Sequence, residues 1–226
     1  MASELHAVLI ADVVASGARG PLRSLLHQRL QRASRVHLRN KWLRLPYAVT
    51  AGDEFQALAA RLDAVPRLLL DLRVQLRPLS LRIGIGIGTV PGRISPPVNR
   101  LDGDAFRLAR LAIESLKRPS AQVSGSLTAF RTATEEFDAT VNLIYALQDT
   151  LLRKITEQQW KTIRARMKSR RIEDAARALG LDTSTVSRNL KRGYYGQLAA
   201  TSSGAEMLIK RQFSTVHKSV QAKRVA

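Results

Sequence analysis

Residues 171–192, RIEDAARALGLDTSTVSRNLKR, decide the organisation of this chain because they predict two short helices joined by a tight turn. The first helix is expected from about Ile172 to Leu179, and Gly180 then supplies the residue tolerant of positive φ that ends many helices. Asp182 predicts the N-cap of the second helix, because its carboxylate can accept backbone N–H groups. The pattern is typical of a helix-turn-helix.

The second helix has one face suited to DNA. Val186 and Leu190 face the first helix, where the small Ala176 allows close approach. Hydroxyl and cationic side chains on the other side can contact phosphates and base edges in a major groove. An ordinary helical hairpin without a DNA-binding role is the alternative interpretation. The predicted DNA-binding residues are Thr183, Ser184, Thr185, Ser187, Arg188, Lys191 and Arg192.

Charge is distributed unevenly along the 226 residues, whose formal net charge is +19. Residues 1–150 carry 20 basic and 13 acidic side chains, whereas residues 151–226 carry 17 and 5. The shorter part therefore holds more of the positive excess. This favours a polyanionic partner, because each neutralised phosphate releases condensed counterions. The predicted helix pair lies in this basic part, which favours double-stranded DNA over a membrane surface.

Several functional classes are excluded by composition. The chain has no cysteine, which excludes disulfides, thiol nucleophiles and cysteine-ligated zinc sites. No run of 18 apolar residues occurs, and the early segment LHAVLIADVV has no basic leader, so we expect a cytoplasmic protein without a membrane span. Four histidines lack ligand-like spacing and are interpreted as structural or solvated: His6, His27, His37 and His217.

The N-terminal part predicts alternating strands and helices that carry two aspartates. Asp12 lies at the end of an apolar run, and Asp53 lies in a predicted hairpin turn, so a β-α-β-β-α-β order would bring the two carboxylates together. Paired carboxylates suit a divalent metal ion. Alternatively, Asp12 caps the following turn and Asp53 is a solvated acid. The predicted strands are 5–13, 43–50, 55–59, 81–90 and 121–124. The first predicted helix follows a turn at 16–21 and ends at about residue 37, and the other two are 65–76 and 102–117.

Three glycines share one face of the strand LRIGIGIGTV, at positions 84, 86 and 88. A face without side chains allows another backbone or a ligand to approach closely. The spacing differs from the dinucleotide-binding G-x-G-x-x-G motif, and no Walker loop is present. Two interpretations remain: a nucleotide or dimer surface, and tight internal packing.

Four motifs in this order resemble the bacterial SatD family: ADVV at 11–14, TAGDEF at 50–55, LRIGIGIGTV at 81–90 and DGDAFRLARLA at 102–112. The resemblance continues through the helix pair and covers most of residues 5–195. The pair itself resembles sigma-factor region 4. More distantly, the first part is similar to class III nucleotidyl cyclases, whose fold is related to GGDEF and polymerase-palm domains. That similarity implies dimerisation and metal binding by Asp12 and Asp53, with Mg²⁺ or Mn²⁺ and a nucleotide as ligands.

The sequence departs from the cyclases at the positions that carry catalysis. The purine-selecting lysine or glutamate would fall near Val49, and the transition-state asparagine at Phe106, and neither is present. Besides the two aspartates, only the cyclase arginine has a match, at Arg110. Loss of one positioned donor commonly lowers the rate by about a hundredfold or more. The resemblance therefore implies a degenerate cyclase-like domain, in which Arg110 is the catalytic residue only if the protein is an enzyme.

The predicted fold class is α+β. A ferredoxin-like domain over residues 1–138 precedes an all-α DNA-binding domain over 139–200, and a basic tail follows over 201–226. Within these ranges we expect a turn-rich connection at 125–138, helices at 140–155 and 157–168, and a linker at 199–204. The tail is interpreted as a short helix that docks on the DNA-binding module, pairs in a dimer, or frays until DNA is bound.

The leading functional prediction is a homodimeric DNA-binding transcription regulator with a degenerate cyclase-like dimerisation or ligand-sensing domain. The alternative is an active metal-dependent nucleotidyl cyclase, or related nucleotidyltransferase, with a DNA-binding module. A nucleoid or RNA-binding protein without sequence preference is a third interpretation. The sequence does not identify the ligand, the operator or the sign of regulation.

Overall fold

The computed structural model describes residues 4–14, 20–50, 52–118 and 125–222. These residues form a mixed α+β protein with one five-stranded sheet and eight α-helices. No helix among them is long and apolar enough to cross a membrane. The strands are β1 Leu5–Val13, β2 Ala48–Val49, β3 Phe55–Leu58, β4 Leu81–Thr89 and β5 Thr128–Arg131. The helices are α1 Gly20–Arg39, α2 Val65–Leu76, α3 Asp104–Ser115, α4 Glu135–Leu152, α5 Glu157–Lys168, α6 Ile172–Leu179, α7 Thr183–Arg192 and α8 Tyr195–Ala222.

The sheet has the strand order β2-β3-β1-β4-β5. Every neighbouring pair is antiparallel except β4 and β5, which are parallel. Apolar residues alternate along β1 because successive side chains point to opposite faces. Leu9 and Ala11 belong to the core cluster shared with α1 and α2, whereas Val8 and Ile10 belong to the cluster shared with α3. The sheet is therefore covered on both faces.

One strand prediction differs from the structure, and another is not tested by it. The strand predicted at 43–50 is reduced to Ala48–Val49, with an isolated bridge between Leu43 and Ala59. The edge strand predicted at 121–124 lies outside the described residues. Within the predicted turn-rich connection, β5 pairs with β4, and α4 begins at Glu135 instead of residue 140. A four-residue strand carries little periodic signal, so its partner strand, far away in sequence, decides whether it forms.

The linker prediction at 199–204 is wrong, because these residues lie inside the 28-residue helix α8. The apolar residues of α8 explain its position. Ala205 and Ile209 are buried in the core cluster that contains Leu72 of α2, and Phe213 packs edge-on against Phe137 of α4 at a centroid distance of 5.2 Å. The first half of the predicted tail thus packs on the sheet core. The predicted domain division stays a prediction, with its boundary at residue 200 inside this helix.

Candidate functional site

Helices α6 and α7 are joined by a tight turn held by backbone hydrogen bonds. Gly180 ends α6 in the left-handed conformation, with φ of 64°. The N–H of Leu181 donates to the carbonyl of Ala176 at 3.0 Å, and the N–H of Gly180 donates to the carbonyl of Arg177 at 3.3 Å. This pair of bonds is the Schellman motif, which satisfies the free carbonyls of a helix end. The helix end predicted from Gly180 is confirmed.

The first turn of α7 is capped by Asp182, as the sequence predicts. Its carboxylate accepts a hydrogen bond from the backbone N–H of Thr185 at 2.9 Å and another from the Ser184 hydroxyl. The hydrogen bond from Ser184, together with that of the Thr185 N–H, holds the pKa of Asp182 well below its usual range. Asp182 is therefore ionised at neutral pH and stabilises the positive end of the helix dipole.

The contact between α6 and α7 has a small apolar centre that is fully buried. Ala175, Ala176 and Val186 form its buried centre, and partly buried apolar residues from α5, α6 and α7 surround them. On the neighbouring helix α5, a capping box joins Thr156 and Gln159, which confirms the predicted start of that helix. The backbone of α7 is thus supported from beneath by α5 and α6.

The predicted DNA-binding residues lie along the outer side of α7. Only Val186 of this helix is fully buried. Within the described part of the chain, no segment covers the outer side, so it is open to solvent. Six of the seven predicted residues are exposed, namely Thr183, Ser184, Ser187, Arg188, Lys191 and Arg192, and Thr185 is half-buried.

The electrostatics of this surface are cationic. Helix α7 contains three basic residues and no acidic residue. The two carboxylates on α6 are paired within their own helix region, Glu173 with Arg171 at 3.3 Å and Asp174 with Arg177 at 3.5 Å. The acidic groups of α6 are therefore paired locally, and Asp182 at the first turn is the acid nearest in sequence to the three cations of α7.

Asp12 lies at the end of β1, in the N-terminal part of the chain. Its side chain is on the face of the sheet that α3 covers. It is 6% exposed. Arg82, its cross-strand neighbour in β4, donates to one carboxylate oxygen at 2.9 Å, and the ammonium of Lys117 lies 2.8 Å from the other oxygen. Both oxygens are thus engaged by cations, which supply the compensation that a buried carboxylate requires.

A second acid at this edge is Glu54. Ala11 pairs with Phe55, so the next residues outward, Asp12 and Glu54, are adjacent. Arg110 of α3 donates two parallel hydrogen bonds to Glu54, at 2.6 and 2.8 Å, and these bonds lower the pKa of the Glu54 carboxyl. Asp53, half-buried in the hairpin turn, lies one residue further from the strand pair.

These contacts do not fit a divalent metal ion. The described residues contain no group of three or more histidine, cysteine, aspartate or glutamate side chains that could hold one. The two carboxylates nearest the strand ends are already neutralised by three cations, and these would repel a metal ion. Metal binding by Asp12 and Asp53 stays a prediction without support from this geometry. Arg110 serves here as a partner of Glu54.

The glycine face of β4 is covered by α3. A Cβ atom at Gly84 would lie 2.4 Å from the backbone nitrogen of Ile113, and one at Gly86 would lie 2.1 Å from the carbonyl oxygen of Ala105. Phe106, at the position of the cyclase asparagine, is buried in the same interface. The nucleotide or dimer surface considered for these glycines is therefore wrong, and tight packing is correct.

Sequence reasoning missed a buried polar chain that joins α1 to α2. The Nε2 atom of His37 lies 2.7 Å from a carboxylate oxygen of Asp71, and its Nδ1 atom lies 2.8 Å from the hydroxyl of Tyr47. Asp71 accepts from the ring N–H and Tyr47 donates to the other nitrogen, an arrangement that satisfies all three groups. His37 is completely buried and has a structural role.

Comparison with solved structures gives distant similarities. A structure of a bacterial light-regulated adenylyl cyclase shares 17% identity, covers 57% of this chain and 44% of that chain, and has a TM-score of 0.39. A second such structure shares 16% identity, covers 56% of this chain and 74% of that chain, and has a TM-score of 0.36. The chain thus spans less than half of the first cyclase chain.

A regulator of polyketide synthase expression from Bifidobacterium adolescentis shares 15% identity over 93% of this chain and 87% of that chain, with a TM-score of 0.27. No curated protein matches the chain. The model of the SatD family matches residues 6–193, which include all five strands, the helix pair α6 and α7 and the acids at the sheet edge.

Proposed function

We propose that this chain, which belongs to the SatD family, is a homodimeric transcription regulator that binds double-stranded DNA through α7. The observation that carries the proposal is the exposed, cationic outer side of α7 above a supported helix pair. In this proposal α6 and α7 form a helix-turn-helix, and α7 is the recognition helix. The Schellman turn and the Asp182 cap support this assignment, because a recognition helix must be held at a defined angle to its partner.

The side chains of α7 divide between base and phosphate contacts. Residues near the N-terminus of a recognition helix usually contact base edges, and residues further along contact the backbone. Arg188 lies in the middle of α7, and its guanidinium donates to the Thr185 hydroxyl at 3.1 Å, which orients it along the helix. We assign Arg188 to a bidentate contact with guanine and Lys191 with Arg192 to phosphates.

The N-terminal part acts in this proposal as a ferredoxin-like, degenerate cyclase-like dimerisation or ligand-sensing domain. The order β2-β3-β1-β4 with antiparallel neighbours supports the ferredoxin-like assignment. The cation-paired acids and the buried Phe106 support the absence of cyclase chemistry. In a dimer the two recognition helices would read a palindromic site whose half-sites are about one helical turn apart.

The test begins with selection of binding sites from a random duplex library, followed by fluorescence anisotropy on the selected and scrambled duplexes. Arg188→Ala is expected to lower affinity for the selected duplex by about 10- to 100-fold, and affinity for the scrambled duplex much less. Arg100→Ala removes the same charge from an exposed position at the end of the short 3-10 helix Val98–Arg100, before α3, and serves as the matched control. Equal losses on both duplexes for Arg188→Ala would reassign this residue to phosphate contact.

Phosphate contacts are tested by salt dependence. Each lost phosphate contact should reduce the slope of log affinity against log salt concentration by about 0.9. We expect this reduction for Lys191→Ala and for Arg192→Ala, with similar losses on both duplexes. A protein that ignores every duplex at low ionic strength, or a library that yields no preferred sequence, would refute the regulator proposal.

A further inference from the structure

Helix α4 carries exposed leucines on the side that faces away from the core. Its inner side is anchored, because Phe137, Val141 and Tyr145 belong to the core cluster that α4 shares with α1 and α2. On the outer side, Leu143 is 57% exposed and Leu147 is 63% exposed. Single exposed leucines are common in proteins. Two of them one turn apart, on a helix fixed from its other side, form a continuous apolar surface.

The exposed residues of α4 follow the spacing of a helix that pairs with another helix. Six of them are separated by alternating steps of four and three residues, which keep them on one line along the helix, as in a coiled-coil seam. All six are exposed in the part of the chain that the structure describes. Lys154 lies just after α4, where the right-handed helical conformation of Arg153 continues the path. We call these six residues the α4 stripe: Glu136, Thr140, Leu143, Leu147, Thr150 and Lys154.

The middle of the α4 stripe can be buried without the loss of a hydrogen bond. The hydroxyl of Thr140 donates to the carbonyl of Glu136 at 3.0 Å, and the hydroxyl of Thr150 donates to the carbonyl of Ala146 at 3.1 Å. Both donors are thus satisfied within the helix, and the two leucines carry no polar group. Burial of a polar group is costly mainly when its hydrogen bond is lost. The middle of the stripe therefore suits a dry contact.

The α4 stripe is complementary to itself. Its six residues are centred on position 145. A twofold axis through this centre, perpendicular to α4, would place Leu143 opposite Leu147 of a second copy, and the two threonines would face each other in the same way. The same axis would place Glu136 opposite Lys154 of the second copy, so that each acid meets a base. A twofold interface uses the same patch on both copies and must have this property.

Charge favours a second copy as the occupant of this surface. The formal net charge of +19 makes two copies repel each other overall, so a contact between them requires a surface where opposite charges meet. An acidic partner would oppose Glu136, and a basic partner would oppose Lys154. We propose that the α4 stripe is the interface of the homodimer, in which two α4 helices pair antiparallel about position 145. This inference rests on the homodimer of the proposed function and assigns it a surface.

The first test measures the oligomeric state by analytical ultracentrifugation over a wide range of protein concentration. The unmodified chain should show a monomer–dimer equilibrium. Leu147→Lys should raise the dimer dissociation constant by at least about 100-fold, because the substitution occurs twice in a twofold interface and each ammonium would be buried without a partner. The matched control is Leu111→Lys on α3, which covers the other face of the sheet, and it should dimerise like the unmodified chain. Circular dichroism confirms that both variants fold.

The outcomes separate this surface from the homodimer itself. An unmodified chain that stays monomeric at every concentration would overturn both the interface and the homodimer of the proposed function. A dimer that survives Leu147→Lys would overturn the α4 stripe alone. Equal loss of the dimer in Leu147→Lys and Leu111→Lys would also overturn it, because the added charge would then act without regard to position.

The second test exchanges the charges at the ends of the α4 stripe. Glu136→Lys would oppose two cations and Lys154→Glu would oppose two acids, so each should weaken the dimer by about tenfold. The double variant restores both pairs and the parent net charge, and it should dimerise like the unmodified chain. The single variants shift the net charge in opposite directions, so an effect of overall charge would strengthen one dimer and weaken the other. That result, or a double variant without recovery, would overturn the antiparallel register.

Neither test contains DNA, so their outcomes are distinct from those of the duplex selection. A dimer that depends on Leu147 but ignores every duplex would support this interface and refute the regulator proposal. Duplex binding by a chain whose dimer tolerates Leu147→Lys would support the regulator and refute this interface.

Discussion

Substitution of Gly86 by alanine tests the close approach of α3 to the sheet. The added Cβ would lie 2.1 Å from the carbonyl oxygen of Ala105 and 2.3 Å from the backbone nitrogen of Ala109. Ordinary contacts of a Cβ begin at 3.4 Å, so the helix would have to move by about 1.3 Å. Both clashing atoms belong to backbone, and a change of side-chain rotamer cannot relieve them.

The energetic cost follows from what α3 buries. Phe106, Ala109 and Ile113 lie in the cluster that fills this face of the sheet. A gap of 0.5–1 Å already removes about a quarter to a half of the dispersion energy between two layers. Overpacking substitutions typically cost about 1–3 kcal/mol, and a clash with two backbone atoms belongs at the upper end. We therefore expect Gly86→Ala to lower the free energy of unfolding by about 3 kcal/mol.

The assay is unfolding by urea and by heat, followed by circular dichroism. A loss of about 3 kcal/mol corresponds to a fall in Tm of about 6–12 °C for a chain of this size. The matched control is Gly204→Ala in α8, where nothing lies within 4 Å of the added Cβ. That substitution should stabilise by about 0.5–1 kcal/mol. If Gly86→Ala were as stable as the parent protein, α3 would not lie in close contact with Gly86, and the glycine face would be open.

Three further predictions concern single residues. Gly180→Ala should lower the free energy of unfolding by about 1 kcal/mol, measured with urea, because φ is 64° there and no neighbour crowds the Cβ. Asp149→Asn should cost about 3–5 kcal/mol by the same measurement, because Asp149 is fully buried and pairs with Arg73. The pKa of Glu54 is lowered below 4.5 by Arg110, so its stabilising contribution is complete above that pH and is lost as pH falls through the folded-state pKa. The difference in unfolding free energy between the parent and Glu54→Gln should therefore become smaller as the pH falls from about 7 to about 3.

The accuracy of the sequence predictions follows the range of the interactions involved. Glycine at a helix end and a capping residue act within one turn, so α5 and α6 have the predicted bounds, and α7 begins directly after the predicted cap Asp182. The short strand β5 forms only because β4 pairs with it, and no local pattern indicates that contact. Gly204 and the preceding serines suggested a linker, but the buried Ala205 and Ile209 stabilise helix α8 through α2.

The features of the candidate site divide in the same way, into those that a local pattern predicts and those that depend on contacts between distant segments. The exposed residues of α7 were identified from one helical face, because neighbouring residues on a helix determine which side is outward. The buried pair of His37 and Asp71 joins α1 to α2 across 34 positions, and no local pattern indicates that contact.

The packing of α3 on the glycine face of β4 also determines how the acids at the sheet edge are neutralised. Because Gly84 and Gly86 allow α3 to lie directly on β4, Arg110 reaches Glu54 at 2.6 Å and Lys117, just after α3, reaches Asp12 at 2.8 Å. A movement of α3 by about 1.3 Å would strain both contacts. Of these cations Glu54 contacts Arg110 alone, whereas Asp12 would keep Arg82 of β4, which lies 2.9 Å away. In this chain the packing of α3 on the glycine face of β4 therefore also positions Arg110 against Glu54 and Lys117 against Asp12.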